Sequence, residues 1–190
     1  MRGIGRKIAA VAVASALLGV LSPASATHAR SVERLLAPAG QCKGQTSSAV
    51  PARVQVRAMV CLHRYARRKA GRRWVHLSPM LRRSANLKAR DLVRCGTVSH
   101  EPCGRDAFAR HEQVGFMRRG EFGVGENLAA GDGEAGSPRE MMSAWLHSPS
   151  HRRALLTKKF DEIGIALVRG VFQDEWTAAQ VWVAHFGYRR

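Results

Sequence analysis

The sequence lacks most of the short motifs by which common enzyme classes are recognised. His100-Glu101 and His111-Glu112 each begin like the helix of a zinc protease, but the fourth position after each histidine is a glycine, not a second histidine. The glycine-rich run 120–136 has neither a P-loop nor a dinucleotide-binding spacing, and no Gly-x-Ser-x-Gly elbow is present. On motif grounds these absences exclude the corresponding metalloproteases, nucleotide-binding proteins and serine hydrolases.

Acidic residues are also scarce. The 190 residues include 14 Asp and Glu against 31 Lys and Arg, which gives a formal net charge of +17. A balance this basic favours an anionic partner such as a cell-wall polymer or an acidic lipid surface, whereas nucleic acid is not expected as a physiological partner. A dense basic patch is predicted at 64–69 and at Arg72-Arg73. The alternative is a basic surface that is merely solvated.

Only one long apolar run is present, and it lies at the N-terminus. Three basic residues precede the apolar stretch 8–20, and Ala24-Ser25-Ala26 supplies small residues for cleavage. This pattern predicts a signal peptide over 1–26, cleaved after Ala26, and therefore a secreted protein. No second run is long enough for a membrane span. The expected division is a signal peptide 1–26, an irregular leader 27–47 and one domain 48–190.

The cysteines number four and include no Cys-x-x-Cys pair, which argues against a zinc site built on thiolates. An even number in an exported chain predicts two disulfides with three possible connectivities. Proximity in sequence favours Cys42–Cys61 and Cys95–Cys103. The first would pin the leader to a helix, and the second would close a short loop around His100.

Helical patterns dominate the first part of the domain and strand patterns the last. Helices are predicted from Pro51 to Gly71, from Ser78-Pro79 to Gly96, over 105–113 and from the capping box at Ser137-Pro138. In the second helix only Lys88 interrupts the apolar stripe, and its ammonium is expected to reach water. Alternation predicts strands at 163–167 and 181–184 joined by a loop around 170–176, with a third at 123–129. The fold class is α+β with helices on a small sheet.

One carboxylate stands out in the apolar segment 125–131. Glu126 lies between two histidine-bearing segments, Ser99-His100 and Ser148-Pro149-Ser150-His151. Imidazole and carboxylate side chains together can bind a divalent metal or carry out acid–base chemistry. They can equally form a buried pair that only holds two layers of a fold together. Spacing alone leaves all three interpretations open.

Four motifs, in order, resemble the CAP superfamily of cysteine-rich secretory, antigen and pathogenesis-related proteins, also called SCP-like extracellular proteins. The motifs are Ser99-His100, the run 125–131, Ala144-Trp145-x-x-Ser148-Pro149-x-His151-Arg152 and Phe160-x-Glu162-Ile163-Gly164-Ile165. The similarity covers about 48–187 and is strongest to bacterial secreted members. It implies a three-layer α-β-α sandwich with a small antiparallel sheet between helices.

The resemblance also implies a cleft that in some members binds a divalent cation such as zinc. Residue by residue, it assigns His100, Glu126, Asn127 and His151 to the cleft, with His100, His151 and Glu126 as metal ligands and zinc or calcium as the cation. Two positions depart from eukaryotic members: a histidine is missing near Val181, and Ser148 replaces a glutamate. His151 is expected to stand in for the missing histidine. His185 is a further candidate, but a solvent-exposed or core position is expected for it.

Three functions follow as hypotheses. The first is a secreted CAP-domain protein whose His/Glu cleft binds a ligand, a cation or an extracellular partner without catalysis. The second is a cell-wall or protein hydrolase that uses Glu126 with His100 or His151. The third is a basic binder of an anionic cell-surface polymer.

Overall fold

The computed structural model describes residues 31–118, 120–172 and 176–190. Its helices are α1 (Ala52–Lys69), α2 (Pro79–Cys95), α3 (Ala109–Gln113), α4 (Pro138–His147) and α5 (Pro149–Leu155), with 3-10 turns at Pro102–Gly104 and Gly133–Gly136. Its strands are β1 (His76–Leu77), β2 (Phe122–Gly131), β3 (Glu162–Phe172) and β4 (Trp176–Arg189).

The helix starts predicted at Ser78-Pro79 and Ser137-Pro138 are confirmed. The Ser78 hydroxyl caps α2 by accepting from the Leu81 N–H at 3.5 Å, and Gly96 ends that helix with a left-handed φ of 61°. The α4 helix begins at Pro138 as expected, although the Ser137 side chain makes no capping hydrogen bond. The third predicted helix is shorter than 105–113, since α3 spans only Ala109–Gln113.

The sheet has the strand order β1-β3-β4-β2. The three long strands pair antiparallel as predicted, whereas β1 pairs parallel with β3 through only two residues. A two-residue strand has no sequence period, so pattern analysis could not reveal it. The predicted loop 170–176 is also too long, since β3 runs to Phe172 and β4 starts at Trp176.

Two separate apolar cores lie on the two faces of this sheet. Alternate residues of β4 divide between them: Trp182 and Phe186 pack with α1 and α4, whereas Val181 and Val183 pack with α2. Because successive side chains of a strand point to opposite faces, one sheet supports a helical layer on each side. The predicted α+β three-layer sandwich is confirmed.

Both predicted disulfides are present, Cys42–Cys61 and Cys95–Cys103. The first ties the leader to α1 and the second closes the loop that carries His100. The signal peptide predicted for 1–26 lies outside the described residues, and the boundary at 48 stays a prediction. No helix in the described part of the chain is long and apolar enough to cross a membrane.

Candidate functional site

Glu126 lies on the edge strand β2, directly opposite His185 of the central strand β4. The carboxylate Oε2 lies 2.7 Å from His185 Nε2, and His185 Nδ1 lies 2.8 Å from the Ser84 hydroxyl of α2. The arrangement is consistent with an imidazole that donates from Nε2 to the carboxylate and accepts from Ser84 at Nδ1. The buried His185 thereby links the sheet to the α2 layer.

His100 binds the other oxygen of the same carboxylate. Its Nδ1 lies 2.7 Å from Glu126 Oε1. The His100 side chain is 57% exposed, whereas the Glu126 side chain is only 2% exposed. The hydrogen bond to Glu126 raises the pKa of His100, and this outweighs the opposing effect of partial burial. A solvent-reachable imidazole is thus held by a carboxylate that solvent barely reaches.

The expectation that the Lys88 ammonium reaches water is wrong. The Lys88 side chain is 1% exposed, and its Nζ lies 3.3 Å from Glu126 Oε1. The ammonium also donates to the carbonyl of Ala107 at 3.1 Å and to that of His100. The apolar face of α2 meets the buried Glu126 carboxylate at this point. The Lys88 ammonium therefore pairs with that carboxylate inside the fold and does not extend to the surface.

These partners keep Glu126 ionised. Burial alone raises the pKa of a carboxyl group, but hydrogen bonds from His100 and His185 and the Lys88 charge oppose it and bring the pKa to about 2. At neutral pH Glu126 is therefore a buried carboxylate compensated by three nitrogen groups.

The loop that carries His100 is fixed at both ends. The Cys95–Cys103 disulfide closes it over eight residues. Beyond it, the Arg110 guanidinium binds the buried Asp91 carboxylate through two hydrogen bonds of 2.6 and 2.7 Å. A bidentate, largely buried pair of this kind limits rotation of both partners. The position of His100 is therefore set by α2 on one side and α3 on the other.

His151 approaches the site from the opposite helical layer. It lies at the start of α5, half-buried, with Nδ1 2.8 Å from the Ser148 hydroxyl. Burial lowers the pKa of His151, and the charge of nearby His100 lowers it further. Asn127, predicted to line the cleft, is instead fully buried and donates to the backbone carbonyl of His151 at 3.0 Å. Its side chain positions α5 from beneath.

The structure thus brings His100 and Glu126 into contact and places His151 within electrostatic range of His100. In the described residues no group of three or more His, Cys, Asp and Glu is arranged to hold a metal ion. Both oxygens of Glu126 are hydrogen-bonded to imidazoles, and its side chain is only 2% exposed. The metal assignment of His100, His151 and Glu126 stays a prediction.

His185 is the second imidazole on Glu126, whereas His151 was expected from the sequence to stand in for the missing cleft histidine. Of the two positions expected for His185, solvent-exposed or core, the structure has the core one, since His185 is fully buried. The alternation of β4 could have revealed this position, because Val181, Val183 and His185 are alternate residues and all face α2. The ring of His111, also fully buried, stacks on His185 with centroids 4.0 Å apart, and neither His111 nitrogen has a hydrogen-bond partner among the described residues.

Buried histidines predict a loss of stability in mild acid. Desolvation lowers the pKa of His63 to about 4 and that of His111 to about 3. Below pH 6.5 the unfolded chain binds protons that these folded imidazoles do not bind, so stability falls as pH falls towards those values. Each histidine contributes at most about 1.4 kcal/mol per pH unit. Urea denaturation between about pH 7 and pH 5 measures the slope.

A His111→Phe variant is expected to show a shallower pH dependence over that range, because it removes one of the protons taken up on unfolding. Replacement of the exposed His76 by Gln serves as the control and should leave the wild-type slope in place. A His111→Phe slope equal to that of the wild type contradicts the assignment.

Comparison with known proteins supports a single family. The profile of the cysteine-rich secretory protein family, CAP, matches residues 60–186. The protein YkwD of Bacillus subtilis (strain 168), described as uncharacterized, is 26% identical over 153 residues, which are 79% of this chain and 54% of YkwD. This chain therefore spans about half the length of that relative.

Two solved structures share the fold. An outer surface protein from Borrelia burgdorferi superposes with a TM-score of 0.61 at 22% identity, covering 76% of this chain and 99% of that one. An extracellular protein containing an SCP domain from Bacillus anthracis str. Ames gives 0.56 at 18% identity, covering 76% of this chain and 45% of that one. With the matched profile extending over most of the domain, the chain belongs to the cysteine-rich secretory protein family of the CAP superfamily.

Proposed function

We propose that this chain is a secreted CAP-domain protein whose cleft binds a ligand through His100 and His151 without turning it over. The observation that carries the proposal is the 2.7 Å bond between the exposed His100 imidazole and the buried Glu126 carboxylate. A carboxylate that fixes the tautomer and direction of an exposed imidazole prepares that ring to bind. The extracellular and outer-surface descriptions of two structural neighbours support export.

The two rings offer the same kind of atom. Both His100 and His151 are bonded through Nδ1, which leaves their Nε2 atoms for a ligand. Neutral imidazole nitrogen suits zinc and similar transition metals, whereas calcium prefers oxygen ligands. Of the two cations predicted from the sequence, zinc fits this donor pair and calcium does not. Two protein ligands leave the remaining coordination positions to water or to a partner.

Calorimetric titration with zinc tests the proposal. We expect wild-type protein to bind zinc and both His100→Ala and His151→Ala to weaken binding by about tenfold or more. His147→Ala removes an exposed histidine of α4 that is outside the cleft, and it should bind as the wild type does. Absence of heat with wild type, or an unchanged isotherm for His100→Ala, would remove zinc as the ligand.

Hydrolysis is the second candidate, and the same His100–Glu126 bond favours it. A carboxylate-oriented histidine is one half of an acid–base pair that activates water. Against it, all four cysteines are in disulfides, and His100 has no hydroxyl partner among the described residues. Release of soluble fragments from peptidoglycan or denatured protein by the wild type, but not by His100→Ala, would replace binding with hydrolysis.

The basic patch supports polymer binding less than the sequence suggested. Arg67, in the middle of the predicted patch, is fully buried. Its guanidinium donates to the backbone carbonyls of Leu155, Thr157 and Phe160 at 2.7–3.1 Å. This arginine joins α1 to the end of α5 and is not available to an anionic polymer.

A further inference from the structure

A concave surface lies at the opposite edge of the sheet from His100 and Glu126. β1 covers the outer edge of β3 only at Glu162 and Ile163. Beyond that point α1 and α2 flank the edge and leave a groove of about 710 Å³. We call this the β3-edge groove. Its walls include Val56 and Val60 of α1, and its floor includes Ile165 and Leu167 of β3.

The floor presents backbone groups without a strand partner. The Ile163 carbonyl faces β1, since it accepts from the Ser78 N–H at 2.9 Å. Alternate residues of a strand direct their N–H and C=O groups to the same side, so Ile165 and Leu167 direct theirs to the groove. Within the described residues no strand pairs with β3 there. Backbone groups in an apolar setting are stabilised by a hydrogen-bonding partner.

The rim of the groove carries one sign of charge. Arg53 and Arg57 of α1 and Arg82 of α2 line it and are exposed, and no acidic side chain is among its lining residues. In the described part of the chain none of these three guanidiniums forms an ion pair. An apolar floor beneath uncompensated positive charge complements an occupant that is extended, partly apolar and acidic.

The spacing of the charges favours a peptide over an amphiphile. Residues four apart on a helix are about 6 Å apart along its axis, close to the roughly 6.8 Å between alternate residues of a strand. Arg53 and Arg57 therefore match carboxylates at alternate positions of an extended chain. An acyl chain has a single head group and leaves the other arginines and the backbone groups unmatched.

We propose that the β3-edge groove binds an acidic, extended peptide segment of another protein, which adds a strand to β3. The backbone of the segment pairs with Ile165 and Leu167, and its alternate carboxylates bind Arg53 and Arg57 of α1. The site is separate from the His100 cleft and does not depend on zinc binding there.

The probe is a fluorescein-labelled heptapeptide of alternating glutamate and valine, titrated by anisotropy against the purified protein. We expect saturable binding that the Arg53→Glu/Arg57→Glu variant weakens by about tenfold or more. The matched control Arg83→Glu/Arg153→Glu makes the same change in net charge at exposed residues outside the groove and should retain binding. The backbone amide resonances of the β3 floor are expected to shift and gain protection from exchange.

Two further probes test the backbone pairing. One peptide is N-methylated at the glutamates and the other at the valines. Methylation should abolish binding only in the peptide whose methylated N–H groups face β3. Three outcomes would each overturn the proposal. They are equal affinity for both methylated peptides, equal weakening by the control variant, and displacement of the labelled peptide by dodecanoate at a lower concentration than the unlabelled peptide requires. The first indicates charge alone, the second a nonspecific polyanion effect and the third an amphiphile site.

Discussion

Replacement of Glu126 by Gln is expected to lower the free energy of unfolding by about 3–5 kcal/mol. The substitution leaves the Lys88 ammonium, 1% exposed, without its charged partner. It also weakens the acceptor for the buried His185, whose Nε2 lies 2.7 Å from the carboxylate. A single buried carboxylate thus compensates groups from α2, β4 and the His100 loop, and its loss affects all three.

Urea denaturation at neutral pH measures the effect. Glu101→Gln removes an exposed carboxylate one residue from His100 and should change stability by no more than about 0.5 kcal/mol. Addition of Lys88→Met to Glu126→Gln is expected to recover part of the loss, because the unpaired buried charge is then gone. Equal stability of Glu126→Gln and wild type would show that the carboxylate is not the charge centre of this network.

The second large effect is expected at Gly164. The substitution Gly164→Ala should destabilise the fold by about 3 kcal/mol. A Cβ at this position falls well inside van der Waals contact with the backbone carbonyl of Leu81 and the nitrogen of Arg82 in α2. The obstacle is helix backbone and not the end of a flexible side chain, so α2 as a whole must move away from β3.

Such a movement of α2 also disturbs the candidate functional site. Gly164 pairs with His185 across the sheet, and Ser84 of α2 holds His185 Nδ1. A displaced α2 therefore carries Ser84 and Lys88 away from the His185–Glu126 pair.

Gly170→Ala is the matched control in the same strand. Its added Cβ meets only the Val93 Cγ1 atom at 3.2 Å, a side chain that can rotate. We expect a change of no more than about 1 kcal/mol. Thermal unfolding of both variants compares them directly, and a Gly164→Ala protein as stable as Gly170→Ala would contradict the proposed close approach of α2.

The sequence supplied the elements of the fold well where local chemistry decides them. Proline and serine at helix starts, and the alternation around 163–167 and 181–184, act within a few residues, so the helices and long strands were predictable. The two-residue strand β1 was not, because its pairing with β3 depends on where the α1–α2 connection passes the sheet.

The site was predictable in part. His100 and Glu126 were named from their motifs and lie in contact. Asn127 was named with them, yet it faces the other side of the sheet, since neighbouring residues of a strand alternate. The contacts of His185 and Lys88 with Glu126 were not predicted, because both residues are far from Glu126 in sequence and only strand register and helix packing bring them to it.

Sequence thus sufficed for the family and the three-layer architecture, through the resemblance of four ordered motifs, and for the disulfide pairs, through cysteine proximity. It also singled out His100 and Glu126, which lie in contact. Tertiary structure decided which charges are buried together and which surfaces stay open. Lys88 and Glu126 compensate each other because α2 lies directly on β3 at Gly164. The β3-edge groove exists because β1 ends after two residues. Both depend on the distance between layers, which no short stretch of sequence encodes.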